Sequence, residues 1–167
     1  MEFKKGFLRL HRYSGIEEYP VKNAEYSLDS NDSMPLNGKL IKGKELQILV
    51  NCDNSETSES FCDNPGLVIE IQGTHEKFKE FELNNKDLEF PEYVCNDEWE
   101  VMATIDCHEG HNINNGIIEA LFKSEKSIEL KISGDICDPD YYDNSKPRTI
   151  FKLHDQFKLG KSVIYSC

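Results

Sequence analysis

The chain has no run of about 18 apolar residues, so no membrane-crossing helix is expected. Its basic opening residues are not followed by an apolar stretch with a small-residue cleavage site, which points to a cytoplasmic protein. There is no Gly-rich phosphate loop, no Gly-x-Ser-x-Gly elbow and no Cys/His nucleophile signature. These absences argue against an enzyme. His11, His75 and His154 stand alone and read as surface or half-buried polar residues. Positive charge is also short: 19 basic residues face 31 acidic ones, for a net charge of −12. Such a surface repels nucleic acid phosphates and anionic lipids, so neither is an expected partner. No Pro-rich or Gly-rich linker divides the 167 residues, which suit a single domain spanning 1–167.

What is present is a strand pattern. Leu46, Ile48 and Val50 alternate with other residues, as do Leu67, Ile69 and Ile71. Trp99, Val101, Ala103 and Ile105 keep a two-residue period, and so do Ile128, Leu130 and Ile132. Further strands are expected at 5–11, 76–83, 149–153 and 162–166. A period of two puts one face in the core and the other in water. Residues 115–123 read as a hairpin partner of 127–133 rather than as a helix. The fold class expected is mainly β: an antiparallel sandwich or partly open barrel, with at most one or two short helices and long polar loops at 51–66, 106–116 and 134–147.

The six cysteines read as reduced, partly buried thiols in a chain without a leader. Cys107, His108 and His111 offer a thiolate and two imidazoles within five residues, the donor set of zinc. The spacing is poor, since no C-x2-C pair exists and the two histidines are three apart. No cofactor is expected, and zinc at this set is the one alternative. Asp138, Asp140 and Asp143 lack the Asp-x-Asp-x-Asp-Gly spacing of a calcium loop and read as a solvated turn. Asp53-Asn54-Ser55-Glu56-Thr57 resembles the metal loop of von Willebrand A domains over five residues. That family needs a helix directly afterwards. Here Asn64-Pro65-Gly66 breaks the chain and a strand begins, so the resemblance implies nothing about the fold.

The acids are concentrated along the chain. Between positions 80 and 109 lie Glu80, Glu82, Asp87, Glu89, Glu92, Asp97, Glu98, Glu100, Asp106 and Glu109, against Lys86 alone. The first twelve residues hold Lys4, Lys5, Arg9 and Arg12 against Glu2. The acidic stretch also carries Phe90, Tyr93 and the only tryptophan, Trp99. Trp99 falls on the apolar side of its strand and reads as core. Aromatic anchors within a charged surround are what a tight protein interface uses, and acids raise the encounter rate with a basic partner. The expectation is an acidic, non-enzymatic binding protein for a basic protein, most concretely an immunity protein that inhibits a cationic toxin such as a nuclease. Its contact residues would be Glu82, Asp87, Glu89, Phe90, Glu92, Tyr93, Asp97, Glu98 and Glu100. The alternatives are a metal-binding module or metal-dependent enzyme on Cys107, His108 and His111, and a carbohydrate- or ligand-binding sandwich using loops 51–66 and 134–147, where Tyr141 and Tyr142 adjoin.

Overall fold

The computed structural model describes residues 2–56, 62–78, 87–139 and 145–160. Their strands are β1 (Phe7–Arg12), β2 (Gly15–Leu36), β3 (Lys39–Cys52), β4 (Gly66–Thr74), β5 (Leu88–Phe90), β6 (Val94–Cys95), β7 (Trp99–Cys107), β8 (Glu109–Asn112), β9 (Asn114–Lys123), β10 (Ser127–Ile136) and β11 (Thr149–Leu159). All belong to one sheet, ordered β5-β9-β10-β11-β1-β2-β3-β4-β7-β6, with β8 beside β7. The mainly β architecture is as the periodicity predicts. Pairing is antiparallel except where β11 meets β2 at Lys158 and Leu159. There β1 has run out, and its two long neighbours close the gap.

The sheet cannot be flat. Ten strand positions at about 4.8 Å spacing would hold its two ends roughly 43 Å apart. Yet β5 and β6, at opposite ends, are separated only by residues 91–93. Four residue steps from Phe90 to Val94 reach at most about 14 Å. A second crossing is tighter still. β8 pairs with β7 near one end of the sheet, and β9 pairs with β10 and β5 at the other, with Ile113 alone between them. The sheet is therefore rolled over on itself, although its two ends are not hydrogen-bonded into a barrel.

Rolling places most inward positions in one core, with Met34 and Leu36 at the far end of β2 buried apart from it. Leu8 and Leu10, Leu46 and Ile48, Leu67 and Ile69, Val101 and Ile105, Leu130 and Ile132, and Phe151 and Leu153 are all fully buried. Each such side chain contributes about 1.5–3 kcal/mol relative to remaining exposed. Buried positions alternate without a break with half-buried ones along β4 and β10, and with half-buried or exposed ones along β7.

The structure differs from expectation in several places. The longest strand, β2, has no clean apolar alternation and was not expected. Residues 75–78 form a helical turn where the start of a strand over 76–83 was expected, and the remainder of that span lies outside the described residues. The expected loop at 106–116 is mostly strand: β7 and β8 form a tight hairpin in which Cys107 faces Glu109 and His108 takes a left-handed φ of 67°. The strand expected at 162–166 lies outside the described residues.

The reading of all the cysteines as thiols is also corrected. Cys62 and Cys107 form a disulfide, with Cα atoms 4.9 Å apart. It ties the segment entering β4 to the end of β7. Cys52 fits the original reading: it is buried, and burial pushes its thiol up to about 12, where it is inert. Alkylation of unreduced protein should leave Cys62 and Cys107 unlabelled while exposed Cys95 reacts. The bond closes a loop with a sequence separation of 45. Replacing both cysteines by alanine should lower the unfolding free energy by about 2–4 kcal/mol. Labelling of Cys107 without reductant would contradict this pairing.

Candidate functional site

Charge is partitioned between the two outer faces of the roll. On β2, β3, β4 and β7 the outward positions carry Glu25, Asp29, Glu45, Glu70, Glu100 and Asp106. Between them stand Ser27 and Gln47, both buried, with Leu49, Val68, Gln72, Met102 and Thr104, and none of these is Lys or Arg; Lys22 and Lys39 lie on β2 and β3 beyond this block. The register draws the acids into rows: Asp29 faces Glu45, Glu45 faces Gln72, and Gln72 faces Glu100. Partial burial, and then the charge of Glu45, holds the Glu70 carboxyl above its usual range.

The opposite outer face, on β1, β11 and β10, carries Arg9, His11, Lys131, Lys152 and His154. Lys152 lies 4.7 Å and Lys131 5.4 Å from the Phe3 ring centre. Two carboxylates are tied into this face. Glu18 takes Lys4 at 2.5 Å and Arg9 at 2.9 Å, and Glu129 takes Lys5 at 3.1 Å and His154 at 2.8 Å. Hydrogen bonds from Lys4 and from His154, respectively, hold Glu18 and Glu129 below the usual carboxylate range. The basic opening segment is thus internally paired and is not a free patch.

The acidic stretch singled out in the sequence crosses the seam of the roll. Tyr93 is 61% exposed at the crossing, and Asp87, Glu89, Glu92 and Glu98 are exposed around it. With the Asn114 amide nitrogen facing Glu92, that amide donates to Oε2 at 3.1 Å and accepts from Arg148 at 2.5 Å. Asp97 is exposed but engaged, by Asn37 at 2.9 Å and Lys39 at 3.1 Å, which hold its carboxyl low. Phe90 is not a surface anchor. It is buried against Gly116, where a β-carbon would lie 2.1 Å from its ring. Glu82, Tyr141 and Tyr142 lie outside the described residues.

The proposed zinc set does not assemble. Cys107 is spent in the disulfide, so its sulfur is no thiolate ligand. His108 is exposed at the hairpin turn, while His111 is buried across from Ile105. Among the described residues no group of three or more His, Cys, Asp or Glu side chains has the geometry to hold a metal ion.

A buried polar cluster went unread in the sequence. Arg12, the last residue of β1, points inward in register with Leu8 and Leu10. Its Nε and Nη2 donate to both carboxylate oxygens of Asp138 at 3.1 and 2.9 Å, and its Nη1 reaches Glu17 at 2.9 Å. Thr149 donates to Asp138 at 3.0 Å. The Tyr19 hydroxyl donates to Glu17 and accepts the Cys62 amide at 3.3 Å. Burial, then the Glu17 contact, pushes the Tyr19 phenol far above its usual value. The cluster therefore runs from β1 through β2 to the disulfide. The sequence signal was the apolar period itself, continued one step beyond Leu10 to Arg12 and two residues beyond Ile136 to Asp138.

Comparison with protein-family models, with curated proteins and with solved structures gave no match.

Two outcomes follow. Arg12→Met leaves Asp138 and Glu17 buried without their cation, and should cost about 3–5 kcal/mol in urea denaturation. A loss under about 1 kcal/mol would mean that the cluster is not a stabilising element. The second concerns His11, which burial first, then Arg9 and Lys152, hold below the usual histidine value of 6.5. The unfolded chain takes up that proton more readily, so stability falls as pH drops below 6.5. His11→Gln should flatten the decline of Tm between about pH 7 and pH 5. An unchanged slope would remove His11 from the account.

Proposed function

We propose that this chain is a non-enzymatic binding protein that neutralises a basic protein partner, most concretely as an immunity protein against a cationic toxin such as a nuclease. One observation carries the reading: the block of outward positions at 25–29 of β2, 45–49 of β3, 68–72 of β4 and 100–106 of β7, whose side chains are acidic or uncharged, with the exposed lysines of these strands lying beyond it at Lys22, Lys39 and Lys42. A rigid sheet holding carboxylates at fixed spacing mimics a row of phosphates. Its field also speeds encounter with a positive surface.

Area argues that the face does not act alone. Four strands about seven residues long cover roughly 460 Å² at ordinary strand spacing. A standard interface buries about 800 Å² per partner. The seam crossing with Tyr93 and Glu98 adjoins β7 and supplies exposed aromatic and acidic surface beyond it. The reading therefore takes the sheet face for steering and the crossing for anchorage.

The compartment belongs to the proposal. No helix among the described residues is long and apolar enough to cross a membrane. Cytoplasmic residence was expected from the absence of a leader pattern, whereas the Cys62–Cys107 bond favours an oxidising compartment.

The test is charge reversal of Glu45, Glu70 and Glu100 together to lysine, with titration against the purified basic protein encoded beside this gene. Affinity at low salt should fall by roughly tenfold or more, and the salt dependence of the on-rate should flatten. Unchanged affinity and salt dependence, or a neighbouring product that is not basic, would end the reading.

A further inference from the structure

Between the two crossings lies a hollow of about 540 Å³, within the range of roughly 300–1,000 Å³ usual for ligand clefts. Phe90, Trp99 and Ile117 line it together with Glu89 and Lys77. Gly116 completes the wall, its lack of a side chain leaving room for the Phe90 ring. The Lys77 ammonium sits 3.6 Å from the centre of the Trp99 ring, well inside the roughly 6 Å over which a cation is drawn to an aromatic face. Lys77 belongs to the helical turn at 75–78. The next residue, Phe78, is fully buried beside Gly73 and fixes that turn. Glu89 stands exposed on another wall and makes no ion pair among the described residues.

We infer that this hollow receives one guanidinium or alkylammonium side chain of the basic partner, whose place on Trp99 is held in the free chain by Lys77. The inference rests on the reading above in taking the partner to be a basic protein. The rest comes from the hollow. An aromatic face that already carries an ammonium has the geometry of a cation site. A carboxylate on a neighbouring wall adds the opposite charge such a side chain seeks. Arginine suits the place best, because its planar group stacks on an indole while its edge donates to a carboxylate. Entry of that group requires Lys77 to swing aside, and a half-buried lysine at the end of a flexible stem does so at little cost. Lys77 is thus an internal competitor, and removing it should strengthen binding.

Trp99 is the only tryptophan, so its emission reports on the hollow directly. The probe is a nonapeptide of alternating arginine and glycine, with a citrulline–glycine peptide as the uncharged control. N-acetylarginine methylamide is the small-molecule arm. At low salt the arginine peptide should quench Trp99 saturably while the citrulline peptide does not. Lys77→Met should bind the arginine peptide roughly three- to tenfold tighter, and Glu89→Gln should bind it several-fold more weakly. An unshifted emission maximum and near-ultraviolet spectrum in each variant would show that the fold is kept. No quenching in either the native chain or Lys77→Met would overturn the proposal, as would equal quenching by the citrulline peptide. Binding of the small amide as tight as that of the peptide would make this a small-molecule cation site and overturn the assignment to a protein partner. The two proposals fail separately. Partner binding that responds to Glu45, Glu70 and Glu100 while Trp99 stays silent sinks only the hollow. A saturable Trp99 response with no effect of the sheet-face reversal sinks only the acidic face.

Discussion

Ile113 is the one residue between two pairings at opposite ends of the sheet. Its amide donates to the Ala103 carbonyl at 2.9 Å, and its side chain is fully buried. Together with the crossing at 91–93, this short link obliges ten strand positions to roll into one body. The single core, the two outward faces and the hollow at the seam all follow from that obligation. Without the two crossings the same strands would make an open sheet with its apolar face exposed, which is an aggregation surface rather than a domain.

Once the sheet is rolled, strand alternation sorts charge as well as hydrophobicity. A residue's side of the sheet is set by its parity, and its side of the molecule by the strands it pairs with, so that the long β2 contributes Glu18 to one face and Glu25 to the other. Glu25, Glu45, Glu70 and Glu100 are far apart in the chain yet share one face because β2, β3, β4 and β7 are successive neighbours. Arg9, Lys131 and Lys152 share the other for the same reason. The net charge of −12 is therefore a poor summary of a molecule with one acidic side and one self-neutralised basic side. A partner approaching from solution meets a directional field, and direction is what steering needs.

Local period made the central strands legible. Residues 67–71, 99–105 and 128–132 show it because each lies between two neighbours with one face in the core. β2 was invisible for a physical reason: Glu17 takes an inward position that elsewhere holds Leu or Ile, and it is tolerated only because Arg12 and Tyr19 satisfy it. Asp138 hid in the same way among the acids of a supposed loop. The candidate face was half legible. Linear charge density pointed to 80–109, but three strands earlier in the chain contribute Glu25, Glu45 and Glu70 through long-range pairing. Trp99 was rightly placed in the core. That it also lines a hollow depends on the seam, which no local pattern encodes.

The two ends of β7 divide the remaining roles. Cys107 closes one end with a disulfide, beside Tyr19, Glu17 and Arg12. Trp99 opens the other onto the hollow, about 27 Å away at ordinary strand rise. Covalent and ionic restraint is thus concentrated where no ligand is proposed. The ligand end has no disulfide and is held by exposed pairs such as Asp97 with Lys39 and by packing: Phe90 on Gly116, and Phe78 against Gly73. Breaking Arg12 or Cys62 should therefore loosen the body without altering the chemistry of the Trp99 wall, whereas Lys77 and Glu89 alter that chemistry without bearing on the fold. This separation is what allows stability and recognition to be measured one at a time in the same molecule.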